Sequence, residues 1–197
     1  APSDVSWYQT RPDLSLDFIR HTGVDTSAQI IDVGAGASTL ADHLLELGFA
    51  NLTLLDISPE ALNTLRTRLE KRTTTIKWLE GDVTQIEFPE HFYDVWHDRA
   101  VFHFLTDPVQ RTLYVQTARR AVKVGGHVIV ATFDADGPTQ CSGLDVMRYD
   151  ADSLHSAFGA DFTLVNSIKE IHQTPWGSEQ KFVYCYCRVQ PHSHSHI

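Results

Sequence analysis

Apolar and polar positions divide the chain into two kinds of segment. Short continuous apolar runs predict buried strands, and longer amphipathic runs predict helices. Short strands are predicted at 29–33, 52–55, 76–79, 93–96 and 128–133, and longer ones near 162–172 and 180–189. Helices are predicted at 13–22, 38–47, 58–71, 107–122 and 150–158. The helices that start at Ser58-Pro59 and Asp107-Pro108 begin with a capping residue followed by proline, which is a common helix start.

The alternation of strands and helices predicts one α/β domain over residues 1–197. Strands separated by helices form βαβ units with a parallel sheet and right-handed crossovers. The last two strands flank turn residues at 174–177, which predicts a C-terminal antiparallel hairpin. We therefore expect a Rossmann-like doubly wound sheet that is mostly parallel, with ligands bound at the carboxyl ends of its strands.

The loop after the first strand has the composition of a ligand-binding turn. It reads Asp32-Val33-Gly34-Ala35-Gly36; the glycines allow close backbone approach, and the helix that follows presents free N–H groups. Thr39 stands where a dinucleotide fingerprint has its third glycine, and the loop lacks the Gly-Lys-Ser/Thr of a P-loop. An anionic Asp32 suits the amino group of a zwitterionic sulfonium ligand better than a pyrophosphate.

Acidic residues also follow the second and third strands. Asp56 ends the second strand, where a carboxylate can accept hydrogen bonds from ribose hydroxyls. Capping of the next helix is the alternative role, but Ser58 already fits it. After the third strand, Gly81-Asp82-Val83 places an acceptor for an adenine amino group beside an apolar side chain, with an ordinary Gly-Asp turn as the alternative.

Together these segments resemble the class I methyltransferases that depend on S-adenosylmethionine (SAM). The Asp-x-Gly-x-Gly loop, the strand-two acid, the Gly-Asp pair and Lys123–Gly126 fall in the order and spacing of that family, over roughly residues 13–189. The resemblance implies an enzyme that takes a methyl group from SAM and releases S-adenosylhomocysteine (SAH). Ala37-Ser38, where many members carry a third glycine, departs from the pattern.

The resemblance also implies which residues hold the cofactor. Asp32 and the Gly34–Gly36 loop would hold the methionine end, Asp56 the ribose, and Asp82 with Val83 the adenine. Trp7-Tyr8-Gln9 resembles a segment that covers the cofactor in relatives, which predicts this role for residues 1–12. The predicted cofactor contacts are Tyr8, Asp32, Gly34, Ala35, Gly36, Ser38, Asp56, Ile57, Ser58, Asp82, Val83, His97 and Asp98.

The methyl acceptor is expected beside the end of the fourth strand and the loop 134–149. His97 and Asp98 are predicted to line the methionine end, with an Asp98–Arg99 ion pair as the alternative. His97 and His103 are the candidate general bases, although His103 fits a core histidine equally well. The predicted substrate contacts are Trp7, Arg99, His103, Cys141, His172 and Trp176.

The sequence leaves two classes of methyl acceptor possible, a small molecule and a protein lysine. The segments Trp96–Leu105 and His172–Gly177 resemble small methyltransferases that include protein-lysine enzymes related to the citrate-synthase-modifying methyltransferase. We expect a small-molecule acceptor, with protein lysine as the alternative. An NAD(P)-dependent oxidoreductase and a non-catalytic SAM-binding protein are further alternatives; Thr39 and the terminal hairpin count against the oxidoreductase.

Composition excludes some partners. A net charge of −9 disfavours nucleic acid, and the apolar runs are too short to span a bilayer, so we expect a cytoplasmic protein. The three cysteines lack convincing zinc spacing, and no metal site is expected. The His-rich residues 190–197 are expected to form a disordered tail. Oligomeric state is not predicted.

Overall fold

The computed structural model describes residues 5–72 and 75–191. Its strands are β1 (Ile30–Val33), β2 (Leu52–Asp56), β3 (Lys77–Glu80), β4 (Tyr93–Arg99), β5 (Val122–Phe133), β6 (Gln140–Cys141), β7 (Leu144–Asp145), β8 (Phe162–Gln173) and β9 (Glu179–Val189). Its helices are α1 (Asp13–His21), α2 (Leu40–Glu46), α3 (Pro59–Leu69), α4 (Pro108–Ala121) and α5 (Ala151–Phe158), with a short 3₁₀ helix at Phe102–Phe104. The residues 192–197 of the expected tail, and residues 1–4 of the expected covering segment, lie outside this description.

The main sheet has seven strands in the order β3-β2-β1-β4-β5-β9-β8. The pairs from β3 through β5 are parallel, and β9 runs antiparallel to both β5 and β8. The predicted α/β class, parallel sheet and C-terminal antiparallel hairpin are therefore confirmed. The small separate hairpin β6–β7 lies within the segment that was predicted to be a loop.

Helices cover both faces of the sheet, so strand residues alternate between two cores. Apolar residues of α1, α2 and α3 pack with one set of strand positions, which includes Ile30, Val95 and Ile129. Residues of α4 and α5 pack with the neighbouring positions, such as Ile31 and Trp96. Within the described residues, no helix is long and apolar enough to cross a membrane.

β4 extends to Arg99 instead of ending at Trp96 as predicted. Its polar end stays in the sheet because His97 pairs with Asp32 of β1 and Asp98 pairs with Val33, while the opposite side pairs with β5 as far as Ala131. Alternation along the strand then sends His97 and Arg99 toward α1 and sends Asp98 toward α4. This division decides which of these side chains reach the candidate site.

Candidate functional site

Glycines in the loop between β1 and α2 let the chain turn against the ends of β2 and β4. Gly34 has φ of 76°, and a Cβ on it would lie 2.2 Å from Cγ2 of Val101. A Cβ on Gly36 would lie 2.4 Å from Cβ of Ala61 and 2.7 Å from Oδ2 of Asp56. Side chains at either position would thus collide with the packed wall, so the loop requires glycine for its close approach.

Asp56 is fixed at the end of β2 by backbone donors on both sides. The Gly36 N–H donates to its Oδ2 at 2.9 Å, and the Ser58 N–H donates to its Oδ1 at 2.9 Å. Each carboxylate oxygen has a further lone pair, so both can still accept from a ligand hydroxyl. Asp82 is held similarly: its Oδ1 accepts from the backbone N–H and the hydroxyl of Thr84, at 2.8 and 2.7 Å.

Two adjoining cavities open at this end of the sheet. The apolar cavity, of about 400 Å³, is lined by Trp7, Val33, Gly34, Leu55, Asp56, Ile57, Gly81, Asp82, Val83, Arg99, Ala100, Val101, Phe104, Leu105 and Leu144. The polar pocket, of about 20 Å³, is lined by Trp7, Gln9, Pro12, Ser15, Asp32, Gly34, Ser38, Thr39, His97 and Arg99. The polar pocket has room for one water-sized group.

Asp32 presents an unsatisfied oxygen in the polar pocket. Its Oδ1 accepts from Nδ1 of His97 at 2.8 Å, but its Oδ2 is buried without a hydrogen-bond partner among the described residues. A buried carboxylate oxygen with no donor is costly. An ammonium group in the pocket would supply that donor, so this pocket fits the amino end of SAM.

Arg99 forms the boundary between the two cavities. Its guanidinium donates to Tyr184 Oη at 3.1 Å, to the carbonyl of Trp7 at 2.7 Å and to Glu170 at 3.0 Å. It also lies 4.0 Å from the centroid of the Phe182 ring. These contacts hold the backbone of Trp7, which lines both cavities, and pair the Arg99 charge with a carboxylate.

The structure brings together ten of the residues predicted from the sequence. Those that line one or both cavities are Trp7, Asp32, Gly34, Ser38, Asp56, Ile57, Asp82, Val83, His97 and Arg99. The predicted residues that do not line them are Tyr8, Ala35, Gly36, Ser58, Asp98, His103, Cys141, His172 and Trp176.

Asp98 lies on the α4 face of β4, away from both cavities. Its oxygens accept from the backbone N–H groups of Val101 at 2.8 Å and Phe102 at 3.0 Å, and from the Tyr114 hydroxyl at 2.5 Å. Burial raises the pKa of Asp98 to about 6, and the Tyr114 hydrogen bond opposes that rise. This carboxylate therefore shapes the turn after β4 rather than contacting a cofactor, and the alternative ion pair with Arg99 is not formed.

His103 is fully buried and its accepting nitrogen is already used. Its Nδ1 accepts from the Phe133 N–H at 3.1 Å, which places the ring proton on Nε2. Burial, aided by the nearby Arg99 charge, lowers the pKa of His103 to about 3. A neutral histidine in this arrangement has no free lone pair for a substrate proton, so the structure does not support the predicted role as a general base.

The remaining predicted residues lie at the edges of the site. Cys141 is buried in the β6–β7 hairpin, and burial raises the pKa of its thiol, which makes it a poor nucleophile. His172 donates from Nε2 to the Ser6 carbonyl at 2.8 Å, and Tyr8 lines an outer groove with it. Trp176, at the hairpin turn, is 65% exposed.

Two other predicted residues, Ala35 and Ser58, hold the backbone next to the site. Ala35 is buried, and its N–H donates to the Leu55 carbonyl at 2.9 Å. Ser58 caps α3, because its Oγ accepts from the Ala61 N–H at 3.2 Å. Both residues shape the walls of the site without facing its interior.

Sequence reasoning missed two groups of residues in the site. The first is polar and consists of the buried Ser15 and Tyr184 and the partly buried Glu170. The second is the apolar mouth of the larger cavity, which consists of Val101, Phe104, Leu105 and Leu144. A serine on the apolar face of α1 was a usable signal for Ser15; Tyr184 and Glu170 are far away in sequence and gave none. Among the described residues, no cluster of His, Cys, Asp or Glu is placed to hold a metal ion.

Comparisons with known proteins agree with this geometry. Residues 30–126 match the family model for a methyltransferase domain. The chain is 30% identical over 120 residues to the eEF1A lysine and N-terminal methyltransferase of Bos taurus, a match that covers 60% of this chain and 17% of that protein. It is 29% identical over 129 residues to the ubiquinone biosynthesis O-methyltransferase of Albidiferax ferrireducens, covering 64% of this chain and 49% of that protein. The chain thus spans less than half the length of either curated relative.

A solved structure gives the same fold. The 1,6-didemethyltoxoflavin-N1-methyltransferase of Burkholderia thailandensis, solved with 1,6-didemethyltoxoflavin and SAH bound, superposes with a TM-score of 0.70 at 19% identity. The match covers 91% of this chain and 78% of that one. The methyltransferase-domain match over residues 30–126, the strand order with its terminal antiparallel hairpin and the acids at the ends of β1, β2 and β3 together support a class I SAM-dependent methyltransferase.

Proposed function

We propose that this domain transfers the methyl group of SAM to a small molecule with an apolar or aromatic body. The observation that carries the proposal is the continuity of the apolar cavity. Its lining combines Asp56 and Asp82 with apolar side chains that include Trp7, Phe104 and Leu144. A cofactor seated on the two acids would thus share one cavity with an apolar acceptor.

The acids at the strand ends have separate roles in this proposal. Asp32 would hold the amino group of the cofactor through its unpaired Oδ2, and Asp56 would accept from the ribose hydroxyls. Asp82 would accept from the adenine amino group, with the buried Val83 against the ring. When bound, SAM supplies an electrophilic methyl group on a good leaving group.

The residues of the chain contribute alignment and the exclusion of water. The segment around Trp7, held by Arg99, covers the cavity, and Phe104 with Leu105 walls the acceptor side. Holding two reactants in line can lower the activation free energy by roughly 7–11 kcal/mol. The described lining of the apolar cavity contains no histidine or lysine, and its carboxylates are the cofactor-side Asp56 and Asp82. The proposed acceptor is therefore one whose nucleophile is already deprotonated or neutral at working pH.

A radiochemical assay tests the proposal. The purified protein is incubated with methyl-labelled SAM and a panel of small phenols, thiols, heteroaromatic amines and carboxylates, together with lysine peptides. We expect label transfer to members of the small-molecule set that carry an apolar or aromatic body. Transfer to lysine peptides alone, or binding of SAM without transfer to any acceptor, would contradict the proposal.

Protein lysine is the second candidate acceptor, because the curated relatives include the eEF1A lysine and N-terminal methyltransferase. A protonated lysine would need a carboxylate on the acceptor side. The lining of the apolar cavity offers Asp56 and Asp82, which are assigned to the cofactor, and Glu170 behind Arg99 is already paired with that guanidinium at 3.0 Å. This pairing favours the small molecule. A cytoplasmic location also belongs to the proposal, supported by three free cysteine thiols, which suit a reducing compartment.

Leu144 offers a test of the acceptor side that leaves the cofactor side intact. Replacing Leu144 with alanine removes apolar surface from the cavity mouth, so we expect the acceptor KM to rise about 5- to 20-fold, or about 1–2 kcal/mol. The Kd for SAH should stay within a factor of two, that is, within about 0.4 kcal/mol. Val109→Ala on α4 is the matched control, since both residues are exposed aliphatics, at 62% and 64%. Equal effects of the two variants would place the acceptor elsewhere.

A further inference from the structure

A fully buried hydroxyl connects the first helix to the cofactor-side acid. Ser15 lies on the apolar face of α1 with no exposed surface. Its Oγ is 2.8 Å from Nε2 of His97 and 3.0 Å from Oη of Tyr184. His97 in turn contacts Asp32 at 2.8 Å through Nδ1. Ser15 is therefore one step removed from the carboxylate that faces the polar pocket.

These hydrogen bonds form a network that runs from Arg99 through Tyr184, Ser15 and His97 to Asp32. The residues at its two ends, Arg99 and Asp32, set the direction of each hydrogen bond. Arg99 can only donate, so Tyr184 Oη accepts from it and gives its own proton to Ser15. The ionised Asp32 can only accept, so Nδ1 of His97 carries a proton. Because Ser15 accepts from Tyr184, its own hydroxyl proton goes to Nε2 of His97. Every proton of this hydrogen-bond network then has an acceptor, and among the described residues the network's buried atom left without a partner is Oδ2 of Asp32.

We propose that Ser15 is a positioning residue for the cofactor. By donating to Nε2 it fixes the Nδ1–H tautomer and ring orientation of His97, which holds Oδ1 of Asp32 and turns the unpaired Oδ2 toward the polar pocket. This inference rests on the proposed function, because the group received by Oδ2 is the amino group of SAM or SAH. Ser15 lines the polar pocket, but its hydroxyl is already engaged with His97 and Tyr184, so we assign its effect on the amino group to the positioning of His97.

A positioning role and a purely structural role for Ser15 predict different results for ligands with and without the α-amino group. Loss of a positioning residue should weaken only the binding of the ligand that carries this group. The variant Ser15→Ala removes the donor to His97, and Ser15→Cys keeps the volume with a much weaker donor. The control Thr132→Val removes another buried hydroxyl, on β5, whose Oγ1 donates to the Phe133 carbonyl. Each protein is titrated calorimetrically with SAH and with the analogue of SAH that lacks the α-amino group.

We expect Ser15→Ala and Ser15→Cys to weaken SAH binding about 10-fold, the effect of one hydrogen bond to a charged group. Binding of the deaminated analogue should change less than about 2-fold, and Thr132→Val should change neither ligand. Equal weakening of SAH and its analogue, or unchanged SAH binding in folded Ser15 variants, would overturn the positioning role while leaving the cofactor assignment standing. Wild-type protein that binds no SAH would instead overturn the proposed function and this inference with it. If Ser15→Ala does not fold, the Ser15→Cys measurements decide.

Discussion

Replacing Asp56 with alanine is expected to weaken SAH binding at least about 100-fold, measured by calorimetric titration. The change removes the carboxylate that would accept from both ribose hydroxyls, and two charge-assisted hydrogen bonds are together worth about 3 kcal/mol or more. It also frees the Gly36 and Ser58 N–H groups that Asp56 now holds. The loop between β1 and α2 thus loses its anchor at the same time.

Asp17→Ala is the matched control, because Asp17 is an exposed aspartate of α1 away from both cavities. It should bind SAH as the wild-type protein does. Asp56→Asn helps to separate the loss of the ribose hydrogen bonds from the loss of the loop anchor, since an amide keeps one accepting oxygen. We expect its affinity to lie between those of the wild type and Asp56→Ala. Wild-type affinity in Asp56→Ala would mean that the cofactor does not sit on β2.

Replacing Asp98 with alanine should lower the free energy of unfolding by about 3 kcal/mol or more, because each buried donor left unpaired costs about 1–3 kcal/mol. The donors affected are the N–H groups of Val101 and Phe102 and the hydroxyl of Tyr114. Part of this loss is offset, because the variant no longer has to bury a carboxyl group. Burial of that group raises the pKa of Asp98 to about 6. Urea denaturation followed by circular dichroism measures the change.

Asp94, on the same strand, provides the comparison for Asp98. Its side chain is 25% exposed, and it accepts from the Gln29 N–H and from Lys123, each at 2.8 Å. Because water can replace these donors, Asp94→Ala should cost only about 1 kcal/mol. A loss for Asp98→Ala no larger than that of Asp94→Ala would show that the turn after β4 forms without the buried carboxylate.

The cofactor-side acids could be predicted because their position depends only on where strands end. Apolar runs located β1, β2 and β3, and parallel strands put their carboxyl ends at one edge. Asp32, Asp56 and Asp82 were therefore expected to meet, and all three line the cavities. The glycines of the loop could also be recognised in the sequence, and the structure shows the close approach of Gly36 to Asp56 at the end of β2.

The roles of the residues after Trp96 could not be assigned from sequence alone. His97 and Asp98 are neighbours in the chain with similar polarity, but strand alternation sends one to the polar pocket and the other into the α4 core. The strand was expected to end before them, so this alternation was not applied. His103 illustrates a second difficulty, because its use of Nδ1 depends on Phe133, a contact between distant segments.

Contacts between residues that are far apart in the sequence could not be predicted either. Ser15 and Tyr184 are 169 positions apart, yet their oxygens lie 3.0 Å from each other. No periodicity within α1 or β9 encodes that meeting; it arises when the C-terminal hairpin adds to the sheet beside β5 and α1 packs over it.

The alternation of β4 has a consequence for protein engineering. Inserting or deleting a single residue between Val95 and Arg99 would exchange the two faces, burying the guanidinium under α4 and turning Asp98 toward α1. Substitutions at Phe104, Leu105 and Leu144, by contrast, leave this register untouched. Libraries intended to alter acceptor choice should therefore vary side chains at the cavity mouth and keep the length of β4 constant.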